Sequence, residues 1–96
     1  MAYRPQTTSK FNRIKKKLPA SLQKAIDQQV LLICQHHETG EMKTGDLAGV
    51  RVHKFGHMGQ LYLLAYEADE QAEVIYIYAV GGRENFYRDL KTYLKS

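Results

Sequence analysis

The feature that most constrains this chain is a change of hydrophobic period at Gly45. Before this glycine, apolar residues recur every three or four positions, which is the spacing of one helix face. After it, three short runs rich in alternating apolar and polar residues read as β-strands: "VRVHKF", "QLYLLAYE" and "EVIYIYAV". Because only short connections join these runs, consecutive strands are expected to pair antiparallel.

The helical half divides at a proline. A first short helix is predicted to end at Pro19, because the residue before a proline avoids helical geometry. A second helix is predicted over 20–39, with Gly40 as its C-terminal stop. A last helix is predicted after the sheet, over about 84–94.

The predicted fold class is α+β: a two-helix N-terminal hairpin packed on a small twisted antiparallel sheet of three to four strands, then a C-terminal helix. We expect residues 1–96 to form a single domain, because 96 residues is the size of one small domain. In "VRVHKF", alternation separates Val50 and Val52 from Arg51 and His53. We expect the helical hairpin to cover one face of the sheet, and Arg51 and His53 to line the other beside the last helix.

The third strand is predicted to place Ile75, Ile77 and Ala79 on one face, and Tyr76 and Tyr78 on the other. Exposed tyrosines on a sheet offer flat surfaces on which the bases of single-stranded RNA can stack. Half-buried packing is the alternative for these rings.

The net charge of +4 is concentrated at one end of the chain. Residues 1–17 hold six of the 14 basic side chains and no acid, so the remaining residues hold eight basic and ten acidic groups, a balance of −2. The run Lys15, Lys16 and Lys17 is predicted to contact phosphates or an acidic partner. A solvated helix face is the alternative.

Several classes of protein are not expected. Cys34 is the only cysteine, so an internal disulfide is excluded and a reducing cytoplasm fits. No apolar run reaches the roughly 18 residues of a membrane span, and the N-terminus lacks a signal peptide. No His-x-x-x-His or Cys-x-x-Cys spacing is present, so no metal and no cofactor is expected.

The order of these elements resembles the RelE/ParE toxin superfamily of bacterial type II toxin–antitoxin modules. The resemblance covers about residues 10–95 and is carried by "DLAGVRVHKF", "QLYLLAYE" and "IYIYAVGGRENFYRDLKTYL". It implies a cytoplasmic toxin that a small cognate antitoxin neutralises. The RelE-like branch implies metal-independent cleavage of mRNA on the ribosome, and hence contacts with mRNA and ribosomal RNA.

The implied reaction is attack of a ribose 2′-OH on the adjacent phosphate. It requires a proton acceptor, cations that stabilise the phosphorane, and a proton donor for the leaving 5′-oxygen. The resemblance, together with the residue types, gives catalytic roles to four residues: His53, His57, Arg83 and Tyr87. RNA binding is assigned to five basic residues: Arg51, Lys54, Lys15, Lys16 and Lys17.

One position departs from the RelE-like pattern. Many such nucleases carry an arginine three residues before the tyrosine that ends the second strand, whereas this chain has Leu63 there. His57 can substitute as a cation or acid–base group. The alternatives are a ParE-like toxin that inhibits DNA gyrase without a nuclease site, and an inactive module that binds RNA or antitoxin.

Overall fold

The computed structural model describes residues 2–95. Three α-helices and five strands occur in this range, with a short 3-10 turn at Gly45–Leu47. In chain order they are β1 (Arg4–Thr7), α1 (Ser9–Lys16), α2 (Ala20–Gln35), β2 (Glu41–Met42), β3 (Arg51–His57), β4 (Gln60–Asp69), β5 (Val74–Gly82) and α3 (Phe86–Lys95). The predicted α+β class is confirmed. The second helix ends at Gln35, four residues before the predicted end, and the last helix begins two residues late.

The five strands form one mixed sheet in the order β1-β5-β4-β3-β2. The three strands predicted from the alternating runs, β3 to β5, pair antiparallel with their chain neighbours as expected. β2 adds to β3 antiparallel, whereas β1 runs parallel to β5. The sheet therefore has two more strands than the three alternating runs predicted, and one of its pairings is parallel.

Both additional strands lack the signal that reveals a strand in a sequence. β1 is a polar run of four residues that contains Pro5, and β2 has only two residues. Proline is tolerated there because β1 is an edge strand, where a missing N–H need not interrupt the sheet. Short polar edge strands carry no hydrophobic alternation, so the pattern could not show them.

A two-residue turn joins β3 and β4. Met58 and Gly59 both have positive φ, 53° and 78°, between the paired residues His57 and Gln60. Two consecutive residues of positive φ are typical of a type I′ turn, whose twist matches that of the paired strands. This turn fixes the register of the pair, and therefore which side chains of β3 share a face.

One face of the sheet, called the hairpin face below, is covered by α1 and α2. Its core contains twelve buried side chains: Phe11, Leu22, Ile26, Val30, Ile33, Cys34, Phe55, Leu64, Tyr66, Ile75, Ile77 and Val80. The members from α2 lie three or four residues apart, as one buried face of a helix requires. Burial of each large apolar side chain contributes about 1.5–3 kcal/mol.

The opposite face, called the α3 face, is covered by the last helix. Its smaller core contains eight buried side chains: Leu47, Val50, Val52, Leu63, Ala65, Ala79, Phe86 and Leu90. Phe86 and Leu90 are one turn apart on α3, so the helix packs one side on the sheet. Each face of the sheet therefore has its own helical cover and its own core.

β5 carries a bulge at Tyr78. The register pairs Ala79 with Ala65 and Ile77 with Tyr66, so Tyr78 has no partner in β4. This extra residue moves Ala79 to the α3 face, whereas Ile77 stays in the core of the hairpin face. The prediction that Ala79 shares a face with Ile77 was wrong, because a bulge shifts the alternation by one residue.

Thr8 connects the bulge to the start of α1. Its Oγ1 accepts a hydrogen bond from the N–H of Phe11 at 3.1 Å and donates one to the carbonyl of Tyr78 at 3.1 Å. Its own N–H donates to the carbonyl of Ile77 at 3.2 Å. The chain thus leaves the edge of β5 at this point and turns into the helix, so β1 accompanies only the first half of β5.

Candidate functional site

A lysine from β3 lies at the border of the α3 face. Val50 and Val52 are buried under α3, and Lys54 follows them at the next position with the same orientation, exposed to solvent. Its cross-strand partner is Leu63, which is 1% exposed and belongs to the same core. The position where the RelE-like pattern has an arginine is therefore a core position here, directly opposite a lysine.

A second lysine reaches the same face from the segment after β2. The Nζ atom of Lys43 lies 2.7 Å from a carboxylate oxygen of Glu41 and 5.1 Å from the ring centroid of Tyr87 on α3. An ammonium group at this distance is attracted to the face of a tyrosine ring. Glu41 and Lys43 were not predicted from the sequence, although their spacing of two is that of neighbours on one face of a strand.

Charges join these residues into one group, which we call the α3-face cluster: Glu41, Lys43, Lys54 and Tyr87. The hydrogen bond to Glu41 raises the pKa of Lys43, and contact with Tyr87 adds to this effect. The same hydrogen bond lowers the pKa of Glu41, and the charge of Lys54 acts in the same direction. Lys43 is therefore protonated throughout the neutral range.

Arg83 lies in the loop that leads from β5 into the cluster. The helix begins at Phe86, so Arg83 lies three residues before it. Asn85 has a φ of 63°, which turns the chain sharply ahead of the helix. Phe86 is buried and packs edge-on against Tyr87, with ring centroids 5.6 Å apart. Arg83 is exposed and stands three residues before this anchored pair.

The structure places Arg51 and His53 on the hairpin face, away from α3. An Nη atom of Arg51 donates to the carbonyls of Gly40 at 2.7 Å and Glu38 at 3.4 Å. The Nε2 atom of His53 lies 2.7 Å from the side-chain oxygen of Gln29 on α2. Burial lowers the pKa of His53, so its imidazole is neutral at neutral pH.

The prediction that Arg51 and His53 line the face beside the last helix was therefore wrong. The alternation of "VRVHKF" was read correctly, but it does not say which side each helix covers. Val50 and Val52 belong to the core under α3, so the intervening residues face the hairpin. Their polar groups are satisfied there by α2 and the segment after it.

His57 is the last residue of β3, and alternation places it on the hairpin face, in line with His53 and Phe55. Its Nε2 atom is buried, and within residues 2–95 it has no hydrogen-bond partner. The structure does not bring this imidazole together with Tyr87.

The lysine run at the end of α1 is divided between two environments. Lys15 forms an ion pair with Asp27 on α2, whereas Lys16 and Lys17 are exposed. All three belong to the hairpin side of the sheet, because α1 packs there. The run and the α3-face cluster are therefore separate basic regions.

Tyr66 ties the end of the helical hairpin to the sheet. The side chain is fully buried; its hydroxyl donates to the carbonyl of His37 at 2.7 Å and accepts from the N–H of Gly40 at 2.8 Å. A Cβ on Gly40 would lie 2.8 Å from that hydroxyl oxygen, so only glycine fits. Gly40 was predicted as a helix stop, but in the structure the helix ends earlier and Gly40 is the residue against which the Tyr66 hydroxyl packs.

Within residues 2–95, no group of three or more His, Cys, Asp or Glu side chains is arranged to hold a metal ion. None of the helices described is both long and apolar enough to cross a membrane. Cys34 is a free, buried cysteine, and burial raises the pKa of its thiol.

Residues 6–91 match the family described as the ParE-like toxin of type II bacterial toxin–antitoxin systems. Because the match covers most of the chain, the protein belongs to this family. The resemblance to the RelE/ParE superfamily drawn from the sequence is confirmed. No curated protein matches the chain.

Solved structures of RelE toxins share the fold. The toxin–antitoxin complex RelBE2 from Mycobacterium tuberculosis matches with a TM-score of 0.74 at 22% identity, covering 86% of this chain and 100% of that one. A mutant of the E. coli toxin RelE in the free state matches with a TM-score of 0.77 at 16% identity, covering 99% and 98%. The archaeal RelE–RelB complex from Pyrococcus horikoshii matches at 0.61 and 18% identity, covering 88% and 98%.

Proposed function

We propose that this toxin is an endoribonuclease that cuts mRNA at the ribosome without a metal ion, and that it thereby inhibits translation. The observation that carries the proposal is that Lys43 lies 5.1 Å from the ring centroid of Tyr87, with Lys54 on the same face of the sheet and Arg83 in the exposed loop before α3. An RNA phosphate brought to this face would meet several cations and an oriented phenol ring.

The proposed chemistry uses cations as its main catalytic groups. Arg83 can hold the scissile phosphate with two parallel N–H donors, a geometry that matches a phosphate. Lys54 and Lys43 add positive charge where the phosphorane develops, and an ammonium group can also protonate the leaving 5′-oxygen. The carboxylate of Glu41 in the same cluster can accept the proton of the attacking 2′-OH. Tyr87, held by Phe86 and Lys43, would orient the 2′-OH or a base.

The proposed site does not contain the same residues as the site expected from the sequence. His53, His57 and Arg51 receive no catalytic or RNA-binding role in the proposal, because they belong to the opposite face. Lys16 and Lys17 keep their proposed role in docking on ribosomal RNA, since they are exposed. Such docking would weaken steeply with salt, because each phosphate contact releases counterions.

A second candidate function is inhibition of DNA gyrase. The ParE-like description of the matching family favours it, and the buried Leu63 removes the arginine that many RelE-like nucleases carry. In either case we propose a cognate antitoxin as the partner, because the structural relatives include toxins solved in complex with antitoxins.

Primer extension on cellular messages after induced expression tests the proposal. The nuclease predicts growth arrest and discrete cuts within translated regions, weakened by Lys54→Ala. Lys24→Ala is the matched control, because Lys24 is an exposed lysine on α2. Arrest with intact messages and broken DNA would identify gyrase as the target, and normal growth would identify an inactive module.

A further inference from the structure

A groove of about 550 Å³ lies between α1 and α3, along the last residues of β5. α1 packs on the hairpin face and α3 on the opposite face, so the two helices flank the edge of the sheet. Ala79, Val80, Gly81 and Gly82 form the floor of the groove. It therefore follows a strand edge.

The edge of β5 is occupied by β1 only up to the bulge. The N–H of Arg4 donates to the carbonyl of Glu73 at 2.9 Å, and the N–H of Thr8 donates to that of Ile77 at 3.2 Å. Along this half of β5, odd-numbered residues thus direct their backbone groups towards β1.

Beyond the bulge the alternation shifts by one, because Tyr78 is the extra residue. The backbone groups of Val80 and Gly82 therefore point away from β4, into the groove. Within residues 2–95, no backbone group outside β4 bonds to either residue. The groove thus presents unpaired N–H and C=O groups at the spacing that an added strand requires.

The two walls of the groove carry opposite charges. Arg13 of α1 stands on one side, and Glu84 and Asp89 stand on the α3 side. Lys10 of α1 reaches towards α3, with its Nζ atom 4.8 Å from the ring centroid of Tyr93. Two positive and two negative groups leave no net attraction for a polyanion, so RNA phosphates would be repelled by one wall. An extended polypeptide satisfies both the strand edge and the paired charges.

We propose that an extended segment of the antitoxin binds in this groove as a short strand paired with Val80 and Gly82. The segment carries an acidic side chain towards Lys10 and Arg13, and a basic one towards Glu84 and Asp89. This inference rests on the proposal that the chain is a toxin with a cognate antitoxin. It does not depend on which target the toxin attacks.

Amide hydrogen exchange on the purified complex tests the pairing. The probe is the antitoxin encoded beside the toxin gene, co-expressed with the full chain. The amide of Gly82, an exposed residue, should exchange quickly in the free toxin and at least about tenfold more slowly in the complex, as protection by a new hydrogen bond requires. The amide of the buried Val80 should also gain protection in the complex. The amides of Ala79 and Gly81, directed towards β4, should be slow in both.

Two pairs of variants locate the contacts by their effect on antitoxin affinity. Gly82→Pro removes the outward N–H and should weaken binding about tenfold, whereas Gly82→Ala keeps it and should stay within about threefold. Reversing Lys10 and Arg13 to Glu should weaken binding about tenfold or more. The matched reversal of Arg4 and Lys24, which lie outside the groove, should not.

The inference fails if Val80 and Gly82 remain unprotected in the complex, or if no antitoxin binds. Protection by added mRNA rather than antitoxin would make the groove an RNA path, and protection that depends on toxin concentration alone would make it a contact between two copies. If the toxin cleaves RNA but Val80 and Gly82 stay unprotected in the complex, only this inference is overturned. If these amides are protected but the toxin does not cleave RNA, only the nuclease proposal is overturned.

Discussion

The hairpin face and the α3 face of the sheet differ in what their polar side chains touch. On the hairpin face, Arg51 and Tyr66 bond to backbone groups of the segment after α2, and His53 contacts Gln29. On the α3 face, Lys54 and the loop bearing Arg83 are exposed to solvent. Polar groups satisfied inside the fold contribute to stability, whereas exposed cations around an anchored tyrosine are available to a ligand.

The comparison of the two arginines should give the largest effect. Arg83→Ala should lower the rate of mRNA cleavage about 10²–10³-fold, or roughly 3–4 kcal/mol, because a cation at the scissile phosphate is lost. Arg51→Ala should leave cleavage by the folded protein unchanged and lower the unfolding free energy by about 1–3 kcal/mol. Cleavage in a translating extract and urea unfolding measure the two quantities.

Arg83→Lys sharpens this result, because lysine keeps the charge but cannot form two parallel hydrogen bonds. An intermediate rate supports a bidentate grip on the phosphate. A loss below tenfold in Arg83→Ala would remove Arg83 from the proposed site.

A comparison of two tyrosines should give the next largest effect. Tyr66→Phe leaves the N–H of Gly40 and the carbonyl of His37 buried without their partner, and should cost about 1–3 kcal/mol of unfolding free energy. Tyr87→Phe should change stability by less than about 0.5 kcal/mol, as partly exposed substitutions usually do, but should slow cleavage. Equal losses of unfolding free energy in both variants would contradict the idea that polar groups stabilise the fold on the hairpin face but not on the α3 face.

Lys43→Gln should have a smaller effect on the α3 face. It removes the cation from the ring of Tyr87, a contact of about 0.5–1 kcal/mol at a partly exposed site, and should slow cleavage about threefold to tenfold. Lys24→Gln, on the surface of α2, is the control. If both variants cut at the wild-type rate, Lys43 does not position Tyr87.

The pH dependence of stability should give the smallest effect. Burial lowers the pKa of His53 in the folded protein below the unfolded value of about 6.5, so the unfolded chain binds the proton more readily. Stability should therefore fall as the pH drops through this value, and His53→Gln should reduce the fall. Thermal unfolding of both proteins at pH 7 and pH 5 measures the difference, which vanishes if His53 is not buried as described.

The sequence was sufficient for the fold class, because period and turn chemistry are local. It could not show β1, whose four polar residues pair with a strand about 70 positions away. Nor could it show the bulge at Tyr78, whose carbonyl accepts a hydrogen bond from Thr8, a residue 70 positions earlier in the chain. These features depend on contacts between distant parts of the chain.

For the candidate site, the resemblance led to Arg83 and Tyr87, and Lys54 was identified as a basic position. Alternation grouped Arg51 with His53 but could not say which helix covers them. Lys43 was missed because its approach to Tyr87 joins residues 44 positions apart. Residue type and spacing identify candidates, and only the packing of helices on the two faces selects among them.

The segment from His37 to Gly40 has a consequence for how toxicity can be lost. The hairpin face holds it through Tyr66 and Arg51, and the chain that leaves it delivers Lys43 to the opposite face. A genetic selection for cells that survive toxin expression should therefore recover changes at Gly40 as well as at Arg83. Survivors of the first kind would produce a misfolded or displaced protein, and survivors of the second kind an intact but harmless one.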